Sequence, residues 1–592
     1  MFTRIFRTAS VFCLVFILSL SLVQAQTLPT PAEKTNFQAG ATNYADLMEF
    51  VYELESRSEL MQVQKLTETL RGRDILLCVL ADPPVYQPAD IINSKKPIVL
   101  IVNNVHGGEV AGKEASLILM RDLLLGAERD LLKDVVVLNI PTINPDGAEA
   151  RRRTNEQGFD MNRDYIKLET QEISALVTKV INTWQPDIHV DTHHGGSDPY
   201  VLTFQTNMNP AGDKELMRLG NEVIIPRIRE ALRAEDYDGF WYSGSQTRDG
   251  VRGWGPTSVE PRKQHVYSTL ANMVGFLFET PGNRFRVTEN GTKVVPIPQE
   301  ERYRHQVRGE YIGQRELIRY AADEPEVLRS TVSGAKERAT MLGANDSDND
   351  QIPLEYVQKA KFETEFWVRA GGGGQRGGGA QQMTQEQRQA MQNAPVEYEL
   401  IKGPLFTLFE PTKTTTRPWG YIMPPQLAHV VPLLLDQGIS VKRLTEPASI
   451  EVEVYAANEV RRENFFQGHY LRSYGVTKTT ETREFPVGSF FVPAGQPRSN
   501  LLCYMLEPET NDNIGTWGHW NDYLQVREAP PPPTPEQLAA QQELQAARGG
   551  RGGGRGGGRG QQVPVFRIMK KTDIKGTLVQ HFTDSDRRRF IK

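Results

Sequence analysis

The sequence predicts an α/β protein with a mixed central sheet and helices on both faces, followed by a smaller β-rich domain. Three observations carry that prediction. Between residues 36 and 322, apolar strand-like runs alternate with stretches whose apolar residues recur at close to 3.6 positions, the pattern of strands covered by helices. Several of those runs end in polar residues flanked by glycine, and open α/β sheets place their ligands at such strand ends. After Pro395 the runs become short and strand-like, as in a compact β module.

The first 25 residues carry Arg4 and Arg7, an apolar run over 11–22 and then Val23-Gln24-Ala25. This is the pattern of a cleavable secretory signal, cut near Ala25, and it predicts a secreted or periplasmic protein. The apolar run is about a dozen residues, short of the about 20 needed to cross a bilayer, so no membrane anchor is expected. Cys13 lies in that segment, which leaves Cys78 and Cys503 far apart in the chain. A disulfide framework is therefore not expected. The net charge of −5 argues against nucleic acid or an anionic membrane as the main partner.

Within the catalytic domain, 36–322, buried strands are expected over 75–80, 98–102, 135–140, 188–190 and 274–278, with helices over 111–125 and 170–181. Residues 323–394 read as a linker whose glycine- and glutamine-rich part buries too little surface to order itself. The β-rich domain spans 395–527, with strands expected over 398–401, 405–409, 450–455, 489–492 and 501–505 and a helix near 426–437. Residues 528–562 form a Pro-, Gly- and Arg-rich insert expected to be disordered, and 563–592 return as strands. An arginine and glycine tract can bind RNA, but in an exported chain of negative charge it reads as a flexible insertion, and no nucleic acid is expected.

The chemistry sits at strand ends. His106-Gly107-Gly108-Glu109 follows the strand over 98–102 and offers an imidazole and a carboxylate from one tight turn, a suitable pair for zinc. The strand over 188–190 ends in Asp191-Thr192-His193-His194-Gly195-Gly196. Strand alternation puts His189, Asp191 and His193 on one face and His194 on the other, so His193 is the expected third ligand and His194 its competitor. Glu279 follows Phe276-Leu277-Phe278; desolvation there raises its pKa and suits it to take a proton from water. Asn162-Arg163 sets an amide beside a planar guanidinium, a pair suited to a carboxylate. Asn144-Pro145-Asp146-Gly147 reads as a turn.

In their order along the chain these motifs resemble the zinc metallocarboxypeptidases of the carboxypeptidase A type. The matching residues are His106-x-x-Glu109, Asn144-Pro-Asp-Gly147, Arg153-x-Asn155-x-x-Gly158-x-Asp160-x-Asn162-Arg163, Asp191-x-His193 and Phe278-Glu279. The 395–527 segment, with Pro418 to Pro425 and Trp517 to Asp522, resembles the β-rich extension of secreted bacterial members. The resemblance implies a zinc carboxypeptidase-like fold and one Zn2+ ion held by His106, Glu109 and His193, with Glu279 as base. It further implies that Arg153 polarises the scissile carbonyl, that Asn162 and Arg163 hold the substrate's terminal carboxylate, and that Asp160 orients His106. Arg152 is a rival for Arg153, since three arginines in a row leave the register open by one. The family's substrate-capping tyrosine has no clear counterpart, because neither Tyr242 nor Tyr267 lies in a matching context. The charges over 261–267, where the family builds its specificity pocket, hint at polar substrates.

The activity this implies is an exported, zinc-dependent carboxypeptidase acting on peptides with a free C-terminal carboxylate. Alternatives on the same site are a cell-wall peptide endopeptidase of the D-glutamyl-diaminopimelate type or an amidase. An alternative of another class is a non-catalytic protein that binds peptide or glycan. The intact set of zinc and base residues favours the enzyme.

Overall fold

A strand with no polar alternation has to be covered on both sides, and Ile98–Val102 is buried at every position. In the computed structural model, which describes residues 28–91, 94–242, 244–248, 250–256, 258–347, 350–370, 396–526 and 561–580, such runs become the middle of a sheet. Its strands are β1 (Met61–Glu68), β2 (Asp74–Leu80), β3 (Ile98–Val102), β4 (Val136–Ile140), β5 (Ile188–His194), β6 (Leu202–Thr206), β7 (Gly239–Trp241) and β10 (Val274–Thr280). The order is β1-β2-β4-β3-β5-β10-β6-β7. The four central strands, β4, β3, β5 and β10, run parallel, whereas β2 and β6 flank them antiparallel. This is the expected mixed sheet.

Helices cover both faces. Along β5, His189, Asp191 and His193 share one face, and Thr192 and His194 the other. Helix Gln264–Leu270 lies on the first face, where the Ser268 hydroxyl is 2.9 Å from His189 Nδ1. Helices Ala111–Leu125 and Arg302–Asp323 lie on the second. There Gln314 donates to Asn103 Oδ1 at 3.2 Å and to the Gly112 carbonyl at 3.3 Å. Gly112 is required to be glycine, because a Cβ would fall 1.9 Å from Thr192 Oγ1. The parallel strands all end at one edge of the sheet, and the segments carrying the candidate ligands leave from that edge.

The chain divides into two compact units, residues 1–335 with 357–410 and residues 336–356 with 411–592. That corrects the expected boundaries. Within 323–394, a segment read as linker, lie helix Pro325–Ala344 and strands Gln351–Lys359 and Phe362–Arg369. In the first unit Phe362–Arg369 pairs with Tyr398–Leu405, and that strand pairs with β9 (Val251–Gly255), itself paired with β8 (Gly244–Arg248). Residues 398–409 were expected in the β-rich domain and instead fall to the first unit. The clue was weak, since Phe366 and Val368 alternate with polar neighbours for only a few residues before the glycine run.

The second unit is β-rich, with a sheet that includes the long hairpin Ala448–Phe466 and His469–Phe485, strands Gly420–Met423 and Phe490–Pro493, and Phe566–Ile568 in its interior. Ile422, Ile450, Val452, Phe491 and Phe566 make its apolar cluster. The strand expected over 501–505 is instead part of helix Ser499–Leu506, buried at every position. An apolar run without alternation carries no period, and Leu and Met favour the helix. The expected signal over 1–25, the Gly- and Gln-rich stretch and all of the 528–562 insert but Gln561–Gln562 lie outside the described residues.

Strand Phe566–Ile568 is tied into the second unit by a buried ion pair, with Arg567 Nε 3.1 Å from Glu507 Oε1 and both side chains fully buried. Glu507 also accepts the Tyr421 hydroxyl at 2.7 Å and the Tyr455 hydroxyl. Removing one member of such a pair strands a buried charge and costs about 3–5 kcal/mol, whereas an apolar replacement of both is close to neutral. Arg567→Met is therefore expected to lower the second unit's urea stability by that amount, and Arg567→Met with Glu507→Gln, which keeps an acceptor for the two tyrosine hydroxyls, to recover part of it. Equal melts for wild type and Arg567→Met would contradict this.

Candidate metal centre

The loop after β3 is shaped by one amide. Asn104, at φ 59°, donates from Nδ2 to the carbonyls of His106, Gly107 and Glu109 at 2.9, 3.1 and 3.0 Å. It accepts the Thr142 hydroxyl at 2.9 Å. The turn is pressed against the segment after β4, because a Cβ on Gly107 would fall 2.1 Å from the Gly147 carbonyl carbon. The Asn144-Pro-Asp-Gly147 motif is thus more than a surface turn. Asn144 caps helix Pro145–Glu149 and donates to the Val105 carbonyl at 3.0 Å, so two of the sequence motifs pack on one another.

Among the described residues, His106, Glu109 and His193 form a group able to hold a metal, with ligand atoms within 4.8 Å of one another. His106 Nδ1 is 2.8 Å from Glu109 Oε2, and His193 Nδ1 is 2.9 Å from both. The opposite ring nitrogens meet carboxylates, His106 Nε2 to Asp160 Oδ1 at 2.9 Å and His193 Nε2 to Asp191 Oδ2 at 2.8 Å. A carboxylate only accepts, so each Nε2 carries a proton, and each ring in its neutral form would turn its Nδ1 lone pair inward to a cation. Two imidazoles and one carboxylate, oriented by outer carboxylates, are the donor set of a catalytic zinc site with its fourth position left to water or substrate.

His194 is excluded from the set. Its Nε2 accepts the Ala111 amide at 2.9 Å on the other face of the sheet, and burial pushes its pKa down to about 4. Burial disfavours the charge on Glu109 and Asp160, but bonds from the ligand histidines outweigh it and hold both well below the usual carboxylate range. His193 moves the other way: burial opposes its charge, and the charge of Asp191 and the bond to it raise its pKa well above the usual value.

Arg153 is the arginine placed at this group. It donates to Glu109 Oε1 at 2.9 Å and to Asp160 Oδ2 at 3.1 Å, with its side chain half exposed. Arg152 turns away to Glu156. Arg163 stands beside them, donating to the Asn162 carbonyl at 2.7 Å, 3.9 Å from Asp160 Oδ2 and partly exposed. Asn162 is buried, with its Nδ2 3.1 Å from His193 Nε2 and its Oδ1 accepting the Gln264 backbone N–H at 2.9 Å, which docks helix Gln264–Leu270 beside the histidine.

Glu279 is the register neighbour of His193 across β5 and β10, and the two project to the same face. Burial pushes its pKa up to about 8. Its carboxylate occupies the space a side chain at position 195 would need, since a Cβ on Gly195 would fall 2.3 Å from Glu279 Oε2 and 3.5 Å from the Tyr242 ring. Tyr242, which no motif marks, therefore lies at this carboxylate, and the Glu279 charge followed by burial raises its phenol pKa. Tyr267 is fully buried against Tyr165, with ring centroids 5.3 Å apart. Behind the site, Glu310 is fully buried and neither of its carboxyl oxygens has a hydrogen-bond partner among the described residues.

Residues 47–218 match the zinc carboxypeptidase family model, a span that contains all three ligands and stops short of Glu279. This span is a zinc metallocarboxypeptidase domain. Relatives include carboxypeptidase 2 of Trichophyton rubrum, 24% identical over 72% of this chain and 74% of that protein. Carboxypeptidase SOL1 of Arabidopsis thaliana is 28% identical over 29% of this chain and 36% of that protein. A metallo-carboxypeptidase from Pseudomonas aeruginosa, solved with (2-guanidinoethylmercapto)succinic acid, is 18% identical at TM-score 0.36, covering 48% of this chain and 69% of that one. This carboxypeptidase is a hydrolase with zinc as its cofactor.

The carboxypeptidase's Glu279 has a consequence for the metal-free protein. Its folded-state pKa of about 8 exceeds the ordinary value of 4.5. The unfolded chain therefore releases this proton first, and the group subtracts stability progressively as pH rises between those values. Glu279→Gln removes the loss. The stability of the variant relative to wild type is expected to grow by a few kcal/mol, to order of magnitude, from pH 5 to pH 9 in urea melts with chelator. A difference that stays flat with pH would show Glu279 not to be the buried acid described.

Proposed function

We propose that this chain is an exported carboxypeptidase that removes residues from peptides with a free C-terminal carboxylate, using Glu279 as general base. The observation that carries the reading is a buried carboxylate set in register beside a metal-ligand histidine. When bound, zinc supplies a Lewis acid that brings the pKa of a water to about 7 and polarises a carbonyl. Glu279 accepts the water's proton as its oxygen adds to the scissile carbonyl carbon. The same carboxyl then returns the proton to the amine as the carbon–nitrogen bond breaks. Arg153, anchored on Glu109 and Asp160, turns its remaining donors toward the developing oxyanion. Arg163 receives the terminal carboxylate as a bidentate partner, and Asn162 keeps His193 in place behind it. Tyr242, near Glu279, offers a phenol donor.

Paired peptides with free and amidated C-termini test this reading, beside a muropeptide panel. Glu279→Gln is expected to lower kcat by about 100- to 10,000-fold with zinc content unchanged. Arg163→Met is expected to weaken free-acid substrates by at least about tenfold more than amidated ones. Equal losses on both would remove Arg163 from its role, and turnover that survives a chelator would remove the zinc mechanism.

The amino-terminal 11–22 apolar run with its flanking arginines supports export. Full-length protein expressed in a secreting bacterium is expected to appear outside the cytoplasm with an N-terminus near Gln26 by mass spectrometry. Retention of Met1 in the cytoplasmic fraction would overturn the assignment.

A further inference from the structure

Tyr242 follows directly on β7 (Gly239–Trp241), which pairs with β6 in the central sheet, and its own amide donates to the Phe204 carbonyl at 2.8 Å. The other side of that segment is held from far along the chain. The indole of Trp254 on β9 is buried and donates from Nε1 to the Trp241 carbonyl at 2.7 Å, immediately before Tyr242. The Trp254 ring packs between Phe240, Tyr200 and Phe366, at centroid distances of 5.3, 5.8 and 5.5 Å. Phe366, fully buried, belongs to strand Phe362–Arg369, more than a hundred positions further along the sequence. Its neighbour Trp367 donates its backbone N–H to the Tyr200 hydroxyl at 2.9 Å.

The backbones on this side meet too closely for a chance contact. Phe406 N–H donates to the Trp254 carbonyl at 2.7 Å. Gln358 Nε2 donates to the carbonyls of Pro256 at 2.5 Å and Phe406 at 2.6 Å. A Cβ on Gly253 would fall 2.4 Å from the Phe406 ring and 2.5 Å from the Pro404 carbonyl oxygen. A Cβ on Gly403 would fall 2.6 Å from the Arg252 carbonyl oxygen. Glycine stands where two chains need to approach, on both partners.

We infer that Phe366 is a positioning residue of the catalytic cleft, holding Trp254 against the Trp241 carbonyl and through it fixing Tyr242 beside Glu279. The inference rests on the reading of Tyr242 and Glu279 as groups that meet the substrate. Its physical basis is the density of a packed interior: removing the Phe366 ring leaves a void beside Trp254 that neighbours fill only in part. The indole N–H then loses its fixed geometry, and a catalytic donor displaced by about 1 Å loses much of its effect. Strands Phe362–Arg369 and Tyr398–Leu405 are in this view part of the catalytic unit's working surface.

A double-mutant cycle on the full-length, zinc-loaded enzyme tests this. Phe366→Ala is expected to lower kcat about tenfold with KM within about twofold, and Phe366→Leu to restore most of the loss. In a Tyr242→Phe background, Phe366→Ala is expected to change kcat by less than about twofold, since the group it positions has lost its hydroxyl. Equal losses in both backgrounds, or an unchanged kcat in Phe366→Ala, would overturn the role of Phe366. A Tyr242→Phe enzyme with wild-type kcat would instead overturn the reading of Tyr242, and the inference with it. Should Phe366→Ala fail to fold, Gly253→Ala, which displaces β9 from Phe406 and Pro404 while keeping every aromatic ring, enters the same cycle with the same two outcomes.

Discussion

Two imidazoles whose inner nitrogens stand 2.9 Å apart can share a site only if something outside it decides where their protons go. Asp160 and Asp191 do this, each holding an Nε2–H so that the inner nitrogen of each ring is the one turned to a cation. Much of the surrounding architecture serves those two bonds. Asp191 is two residues from His193 on one strand, so the strand repeat alone brings it to the same face. Asp160 arrives from a loop, and it is placed because Gly107 and Gly147 let the two turns pack and Arg153 bridges it to Glu109.

Glu279, the proposed base, depends on a different constraint. A carboxyl group at the end of a parallel strand that is apolar on both faces has little water to ionise into, and burial is the largest influence on Glu279. Register with β5 delivers it to His193, and the absence of a side chain at Gly195 gives it room. A single methyl at that position would meet the carboxylate at 2.3 Å, so the glycine after the two histidines belongs to the base as much as to the turn.

What was legible in the sequence was local and periodic. The ligands His106, Glu109 and His193, and Glu279 with them, sit where apolar runs end, and strand alternation favours His193 over His194 as the third ligand while leaving His194 a competitor. The residues that escaped are fixed by distant partners. Asn162 reads as a substrate contact beside Arg163, and its carbonyl oxygen also holds a helix a hundred positions later. Tyr242 has no motif because its place follows from Trp254 and Phe366, which strand pairing brings together from distant parts of the chain. The run over 501–505 reads as a strand yet lies in helix Ser499–Leu506 for the opposite reason, being so completely apolar that it carries no period.

The charge balance around the site ties these features together. Glu109, Asp160, Asp191 and Glu279 converge on two histidines, with Glu310 buried behind them and Arg153 and Arg163 at the rim. Without a cation, burial pushes the pKa of Glu279 up to about 8 and that of Glu310 well above the usual carboxylate range, while the three carboxylates that touch the histidines or arginines are the ones with compensating partners. A dication held by His106, Glu109 and His193 adds positive charge close to Glu279 and favours its ionised form. Metal binding and proton release from the base are thus one linked equilibrium. The same burial that makes Glu279 a reluctant anion in the metal-free protein sets it near the pKa that a general base needs at neutral pH.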